Sequence, residues 1–414
     1  MLFFTFFIYK SFFLNLTRFF FEFIVEYAGM SIKSKKIKFL LFFLFIKTTL
    51  VFSQGFSVPH FENTNTFYGL TGKPYITADS LIQLKLRMEP SNKFYFDMNI
   101  DASIDRLIDF FYQSQDPKFD GNFRFLGASF NFPKIQNLPL SLAIFTGIYD
   151  TLGSDSILQE HLKVKMPDPE FRRYHPASAF RPRNFVQGTG FGIYGAFFSG
   201  FYLGTYLTWN EKLGDNLQIK SDFRMGGAFD FFAFDFFAGA SFPKNVIKTK
   251  FRTGLAMLFQ ADDSYDFFTE IGIAEIKIEN IDVKDFTSNF YASFEARIKK
   301  DLIRSSIACF VSPIFLLPKS INNPLLKDSF FTGLSADVGI GNLETKNMEG
   351  GIHLMGTINP LKPTMITPFS FLISPFYTIR ADGFTLDFRL PVNPLLYNDI
   401  SKMITAQISI KAVY

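Results

Sequence analysis

The chain has 414 residues, 48% of them hydrophobic and 19% charged, with 59 phenylalanines and a formal net charge of +4. That apolar content excludes a disordered chain. The charge sits at the amino end: residues 1–53 carry Lys10, Arg18, Lys33, Lys35, Lys36, Lys38 and Lys47 against Glu22 and Glu26, a net +5, which leaves 4 − 5 = −1 for the rest and argues against electrostatic nucleic-acid binding.

At the amino end, Met30-Ser-Ile-Lys-Ser-Lys-Lys-Ile-Lys reads as the basic start of a secretory signal. Phe39 to Ile46 supplies its apolar run and Val51-Phe52-Ser53 a cleavage region before Gln54, so residues 30–53 are expected to be a signal peptide. Residues 1–29 are Phe-rich but broken by Lys10, Arg18, Glu22 and Glu26. They are expected to be an extension upstream of a true start at Met30; a membrane helix is the rival, which four charges disfavour. Residues 54–79 read as a periplasmic leader, a first strand or a segment tucked into a lumen.

From residue 80 to 414 the chain alternates. Ile82, Leu84, Leu86 and Met88 oppose Gln83, Lys85 and Arg87; Phe94, Phe96, Met98 and Ile100 oppose Tyr95, Asp97, Asn99 and Asp101. Phe201, Leu203, Thr205, Leu207 and Trp209 oppose Tyr202, Gly204, Tyr206 and Thr208. The same holds for Phe232 to Ser241, Phe290 to Ile298 and Phe384 to Leu390. Period-two alternation predicts strands with one apolar and one polar face. Connections between them alternate in length: Pro391–Ser401 is long and Ala381-Asp382-Gly383 tight, Thr357–Pro363 long and Asn342–Lys346 short, with Asp150–Asn184 the longest. Short turns at one end and long loops at the other are the rhythm of a transmembrane barrel. Seventeen strands emerge, the first starting at Ser80; an antiparallel barrel with both termini on one side needs an even number. An extra strand at Thr66–Thr77 makes eighteen, and one over-read strand makes sixteen. The expected fold is all-β: one closed antiparallel transmembrane β-barrel of about 18 strands.

The end of the chain gives the same reading. Ile404, Ala406, Ile408, Ile410, Ala412 and Tyr414 alternate with Thr405, Gln407, Ser409 and Lys411. This stretch resembles the C-terminal signal of bacterial outer-membrane β-barrels, porin-like proteins whose closing strand ends on an aromatic residue. The resemblance implies export to the outer membrane, contact with its lipid, and insertion by the barrel machinery reading Ile408, Ile410 and Tyr414.

The polar parity carries both signs of charge. Lys85, Arg87, Lys220, Arg224, Lys250, Arg252, Arg297, Arg380, Arg389 and Lys411 share it with Asp97, Asp101, Asp222, Asp235, Glu270, Glu295, Asp337, Glu349 and Asp387. Water in a lumen tolerates such groups where hydrocarbon does not, and their balance predicts a weakly ion-selective pore for small solutes. The alternative is that they pair across strands and plug the barrel, leaving a surface structural or adhesion protein whose ligand is a host surface. The loop Asp150–Asn184 holds Arg172, Arg173, His175, Arg181 and Arg183; folded inward, that cluster would constrict the lumen and favour anions.

Other chemistry is thinly represented. His353 shares the polar parity with Asp337 and Ser370, which would make a lumen hydrolase if register brought them together; an enzyme is not expected. Gly190-Phe-Gly-Ile-Tyr-Gly195 matches a dinucleotide fingerprint but lies inside an alternating strand, so its glycines are read as room for lumen side chains. The lone Cys309 excludes an internal disulfide and falls on the apolar parity. Four scattered histidines offer no metal-ligand spacing, and no cofactor is expected.

Overall fold

Hydrophobic alternation leaves these segments one way to satisfy both faces, and the computed structural model adopts it. It describes residues 60–69, 76–91, 93–105, 120–133, 135, 138–153, 184–197, 200–212, 216–243, 249–262, 264–277, 283–313, 330–342, 345–358, 369–404 and 406–413. The signal-peptide region, the upstream extension, the Arg cluster of the long loop and Tyr414 lie outside them.

Eighteen strands follow in chain order. The first six are β1 (His60–Gly69), β2 (Ile76–Ser91), β3 (Phe94–Asp105), β4 (Asp120–Phe132), β5 (Leu140–Leu152) and β6 (Asn184–Phe197). Next come β7 (Phe201–Lys212), β8 (Asn216–Ala228), β9 (Phe232–Pro243), β10 (Lys250–Gln260), β11 (Tyr265–Lys277) and β12 (Phe290–Lys300). The last are β13 (Ile303–Pro313), β14 (Phe330–Asn342), β15 (Met348–Ile358), β16 (Phe369–Ala381), β17 (Phe384–Arg389) and β18 (Gln407–Val413). Each pairs antiparallel with its sequence neighbours, and β1 closes the ring on β18 from Glu62↔Val413 to Tyr68↔Gln407. The chain is a single closed antiparallel barrel of 18 strands, with no free sheet edge among them.

The eighteenth strand is not where the sequence suggested. It spans His60–Gly69, upstream of Thr66–Thr77, and β2 begins at Ile76, upstream of Ser80. At the other end β18 starts at Gln407, because Ile400–Met403 turns as a short helix and Ile404 bridges Val392.

Alternation sorts the wall into two faces. Leu334 is 57% exposed, Ile352 49% and Phe294 46%, and all stand on the outer face, where Cys309 also lies, paired with Phe294 and Leu334. A cylinder of such side chains is costly in water and suits an environment of acyl chains. The inner face is polar around β13 to β18. Over β5 to β12 it is packed by Phe145, Leu152, Phe237, Leu258, Phe268 and Tyr291, all buried.

Tight turns sit at the end where β6–β7, β12–β13, β14–β15 and β16–β17 join. Gly200 and Gly383 there have φ of 89° and 78°, and Asp301 and Asn347 share the left-handed region that such reversals require. The longest connection, between Leu152 and Asn184, is at the opposite end.

Candidate functional site

Both ends of that longest connection turn into the barrel. Strict alternation would keep Asp150 with the outward Ile148, but a register shift between them puts Asp150 opposite Val186 on the inner side, beside Tyr149. A bulge re-aims a side chain in this way. Asp150 then meets the fully buried Arg224 of β8, whose Nη1 donates to Asp150 Oδ2 at 2.8 Å. Arg224 Nε and Nη2 clasp Asp235 of β9 at 2.7 and 2.9 Å, a bidentate pair. The backbone N–H of Gly153 donates to Asp235 Oδ2 at 3.0 Å, and Tyr206 donates its hydroxyl to Asp150 at 2.9 Å.

The returning strand is held as firmly. Arg252 of β10 clasps Asp222 at 2.9 and 2.7 Å and donates from both terminal nitrogens to the carbonyl of Phe185. Asn184 Nδ2 donates to the hydroxyl of Tyr291 at 3.1 Å. Beneath these bonds Phe145, Leu152, Val186, Tyr206 and Phe237 form one apolar cluster. Asp235 and Phe237 are interior positions of β9, so the contact around Arg224 falls within the wall rather than above its rim, while Tyr291 is the second residue of β12.

Glycines make the room. A Cβ at Gly254 or Gly272 would collide with the hydroxyl of Tyr291, and one at Gly192 would lie 2.6 Å from Cδ1 of Tyr206. Within the glycine run of β6, Gly192 thus leaves room for a lumen side chain, while Gly190 and Gly195 lie against backbone carbonyls of Leu207 and Pro139.

The nineteen charges read on the polar parity stand on the inner side by register, in unlike surroundings. On β2 and β3, Lys85 and Arg87 are exposed and Asp97 and Asp101 half-buried; Arg87 lies 3.8 Å from Asp97, and Gln83 donates to Asp101. On β8 to β10, Asp222, Arg224, Asp235 and Arg252 belong to the hairpin's anchorage, Lys250 pairs with Glu275 at 2.6 Å, and Lys220 is half-buried. On β12, Arg297 pairs with Glu295 at 2.6 Å and Asp266 at 3.2 Å. Asp387 pairs with Arg389 at 2.6 Å and accepts from Thr378, and Arg380 lies half-buried beside them. Lys411 and Glu62 meet at 3.0 Å across the closing seam, and Arg304 contacts Glu349. The balance of signs read from the sequence is therefore largely a set of ion pairs, some across strands (Arg224–Asp235, Arg252–Asp222, Lys411–Glu62) and some along one strand (Arg297–Glu295, Arg389–Asp387).

Asp337 and His353 are register partners, Oδ2 to Nδ1 at 3.3 Å. The serine opposite His353 is Ser374; Ser370 stands opposite Thr357. All three of Asp337, His353 and Ser374 are buried. Asp150, Gly153, Asn184, Tyr206 and Tyr291 carried no sequence signal: they matter through contacts 56 to 107 residues away.

No protein-family model matches this chain, and no curated protein matches it. Solved structures do. Acinetobacter baumannii OccAB2 is 9% identical, over 88% of this chain and 98% of that one, with a TM-score of 0.50. Acinetobacter baumannii OccAB3 is 9% identical, over 87% and 99%, with the same TM-score. At that identity the likeness is one of fold: a large closed antiparallel barrel.

Proposed function

We propose that this protein is an outer-membrane channel for passive diffusion of small solutes, narrowed by the β5–β6 hairpin. The observation that carries the reading is the anchorage of both hairpin ends inside the wall, by Asp150 and Gly153 on one side and Asn184 and Phe185 on the other. A barrel that served only to hold outer loops would have no use for buried Arg and Asp pairs that fasten one loop within it. Burying such pairs costs desolvation that packed apolar side chains would avoid. The apolar outer face supports a bilayer location, and the C-terminal strand supports delivery to it by the insertion machinery after signal-peptide removal. Charges paired with opposite charges favour weak ion selectivity, because rings of one sign are what discriminate.

A second reading rests on a different observation. Around β14 to β18 the inner-face Asp337, Glu349, Asp387 and Lys411 are nearly inaccessible. A filled lumen would explain that, and the protein would then be a surface anchor. Recording from the refolded protein in a planar bilayer separates the two. Ohmic steps are expected for the channel; a correctly folded but electrically silent barrel overturns it and leaves the anchor.

A further inference from the structure

Next to the hairpin's ion pairs lies a group of inner-face side chains that they do not use. Tyr95 of β3, Tyr149 of β5 and Tyr194 of β6 gather on one stretch of wall. Tyr194 lies within electrostatic reach of both Tyr95 and Tyr149, and Tyr149 and Tyr194 pack against the same apolar cluster. Tyr149 also donates to Asn131 Oδ1 at 3.0 Å, and Asn131 Nδ2 reaches Asp97 Oδ2 at 3.4 Å. The guanidinium of Arg87 lies 4.1 Å from the centroid of the Tyr95 ring. Unlike Tyr202 and Tyr206, which are buried, Tyr95, Tyr149 and Tyr194 are half-buried on the inner face.

The chemistry of this surface is selective. Arg87 and Lys85 on this face of β2 are balanced by Asp97 and by Glu89, which lies 2.6 Å from Arg87, so a small ion gains little net charge here and would lose hydration. A purely apolar solute would strip water from Asp97 and the phenol hydroxyls without replacing their hydrogen bonds. A solute with a C–H face and a rim of groups that both donate and accept fits both requirements: ring surface against ring surface, hydroxyls against carboxylate and guanidinium. We propose that Tyr95, Tyr149 and Tyr194, with Arg87 and Asp97 at their edge and the buried Asn131 bracing Tyr149 and Asp97 from behind, form a subsite for neutral sugars. Its use in transport rests on the channel reading, while binding itself does not.

The test is calorimetric titration of the full-length, detergent-folded protein with maltose and maltotetraose, with wild type, Tyr95→Ala, Tyr194→Ala and Tyr194→Phe compared. Wild type is expected to bind with a Kd of order 1 mM, about −4 kcal/mol, as suits a solute that must also leave. Either Ala variant is expected to weaken binding at least about fivefold, about 1 kcal/mol. Tyr194→Phe keeps the ring, so it is expected to retain more affinity than Tyr194→Ala. Heat-modifiable gel mobility confirms that each variant is folded. No sugar binding by wild type, or equal affinity in the Ala variants, overturns the proposal. Sugar binding by an electrically silent barrel would overturn the channel and leave the subsite standing. Ohmic conductance without sugar binding would do the reverse.

Discussion

Arg224 grips Asp235 through two nitrogens while reaching Asp150 with a third, and so ties β8 and β9 to the inward end of β5. Asp235 also accepts the backbone N–H of Gly153, so one carboxylate holds both the cation and the chain that enters the hairpin. Asp235→Ala should therefore do two things. It leaves Arg224 with Asp150 as its carboxylate partner among the described residues, and breaking one side of a buried pair costs about 3–5 kcal/mol. It also frees Gly153. The expected outcome is a lower urea midpoint and a larger single-channel conductance than wild type. An unchanged conductance in a folded variant would mean that the hairpin does not narrow the path.

The room left at Gly192 gives a second, purely steric expectation. At Gly192 an added Cβ meets the Tyr206 ring at 2.6 Å, whereas at the outward Gly356 its nearest neighbour is a Phe369 ring carbon at 3.6 Å. Gly192→Val should destabilise by about 1–3 kcal/mol through overpacking. Gly356→Ala, made in ordinary van der Waals space, should stay within about 0.5 kcal/mol of wild type. Equilibrium unfolding in lipid vesicles measures both, and equal costs at the two positions would contradict the packing described.

Much of this wall was legible in the residues. Phe94 to Ser103 and Phe290 to Ile298 alternate so strictly that neither face nor element type was in doubt. The inward charges followed from parity alone. What escaped had physical reasons. β1 carries Asn63 and Asn65 on its outer parity opposite Glu62, Thr64 and Thr66, so it has no apolar stripe to find. Ile404 and Ala406 keep the alternation of β18 going past its true start, because a period of two does not reveal where pairing stops. The bulge that aims Asp150 inward leaves no mark on composition. Register decided that Ser374, not Ser370, faces His353, and register comes from pairing across strands rather than from either strand.

The closing seam allows a cleaner energetic test than any interior pair. Lys411 of β18 and Glu62 of β1 are both buried and 3.0 Å apart, on the two strands that turn a sheet into a barrel. Lys411→Met strands a buried carboxylate and is expected to cost about 3–5 kcal/mol, while adding Glu62→Leu should recover a substantial part of that loss. A double-mutant cycle of urea midpoints reads the coupling directly. Additive losses would mean that the two side chains do not interact in the folded barrel.

The apolar outer face can be tested without adding a probe, because the one cysteine of the chain already stands on it. Cys309 is exposed and lies between Phe294 and Leu334, its register partners on either side. If acyl chains cover this face, a charged maleimide should fail to modify Cys309 in the membrane-inserted protein, while a small uncharged maleimide reacts slowly and both react fully after denaturation. The companion substitution is Leu334→Arg, which should cost about 2–4 kcal/mol if Leu334 sits near the bilayer midplane and progressively less toward either interface. Rapid labelling by the charged reagent, together with a neutral Leu334→Arg, would place this face in water and remove the membrane reading with it.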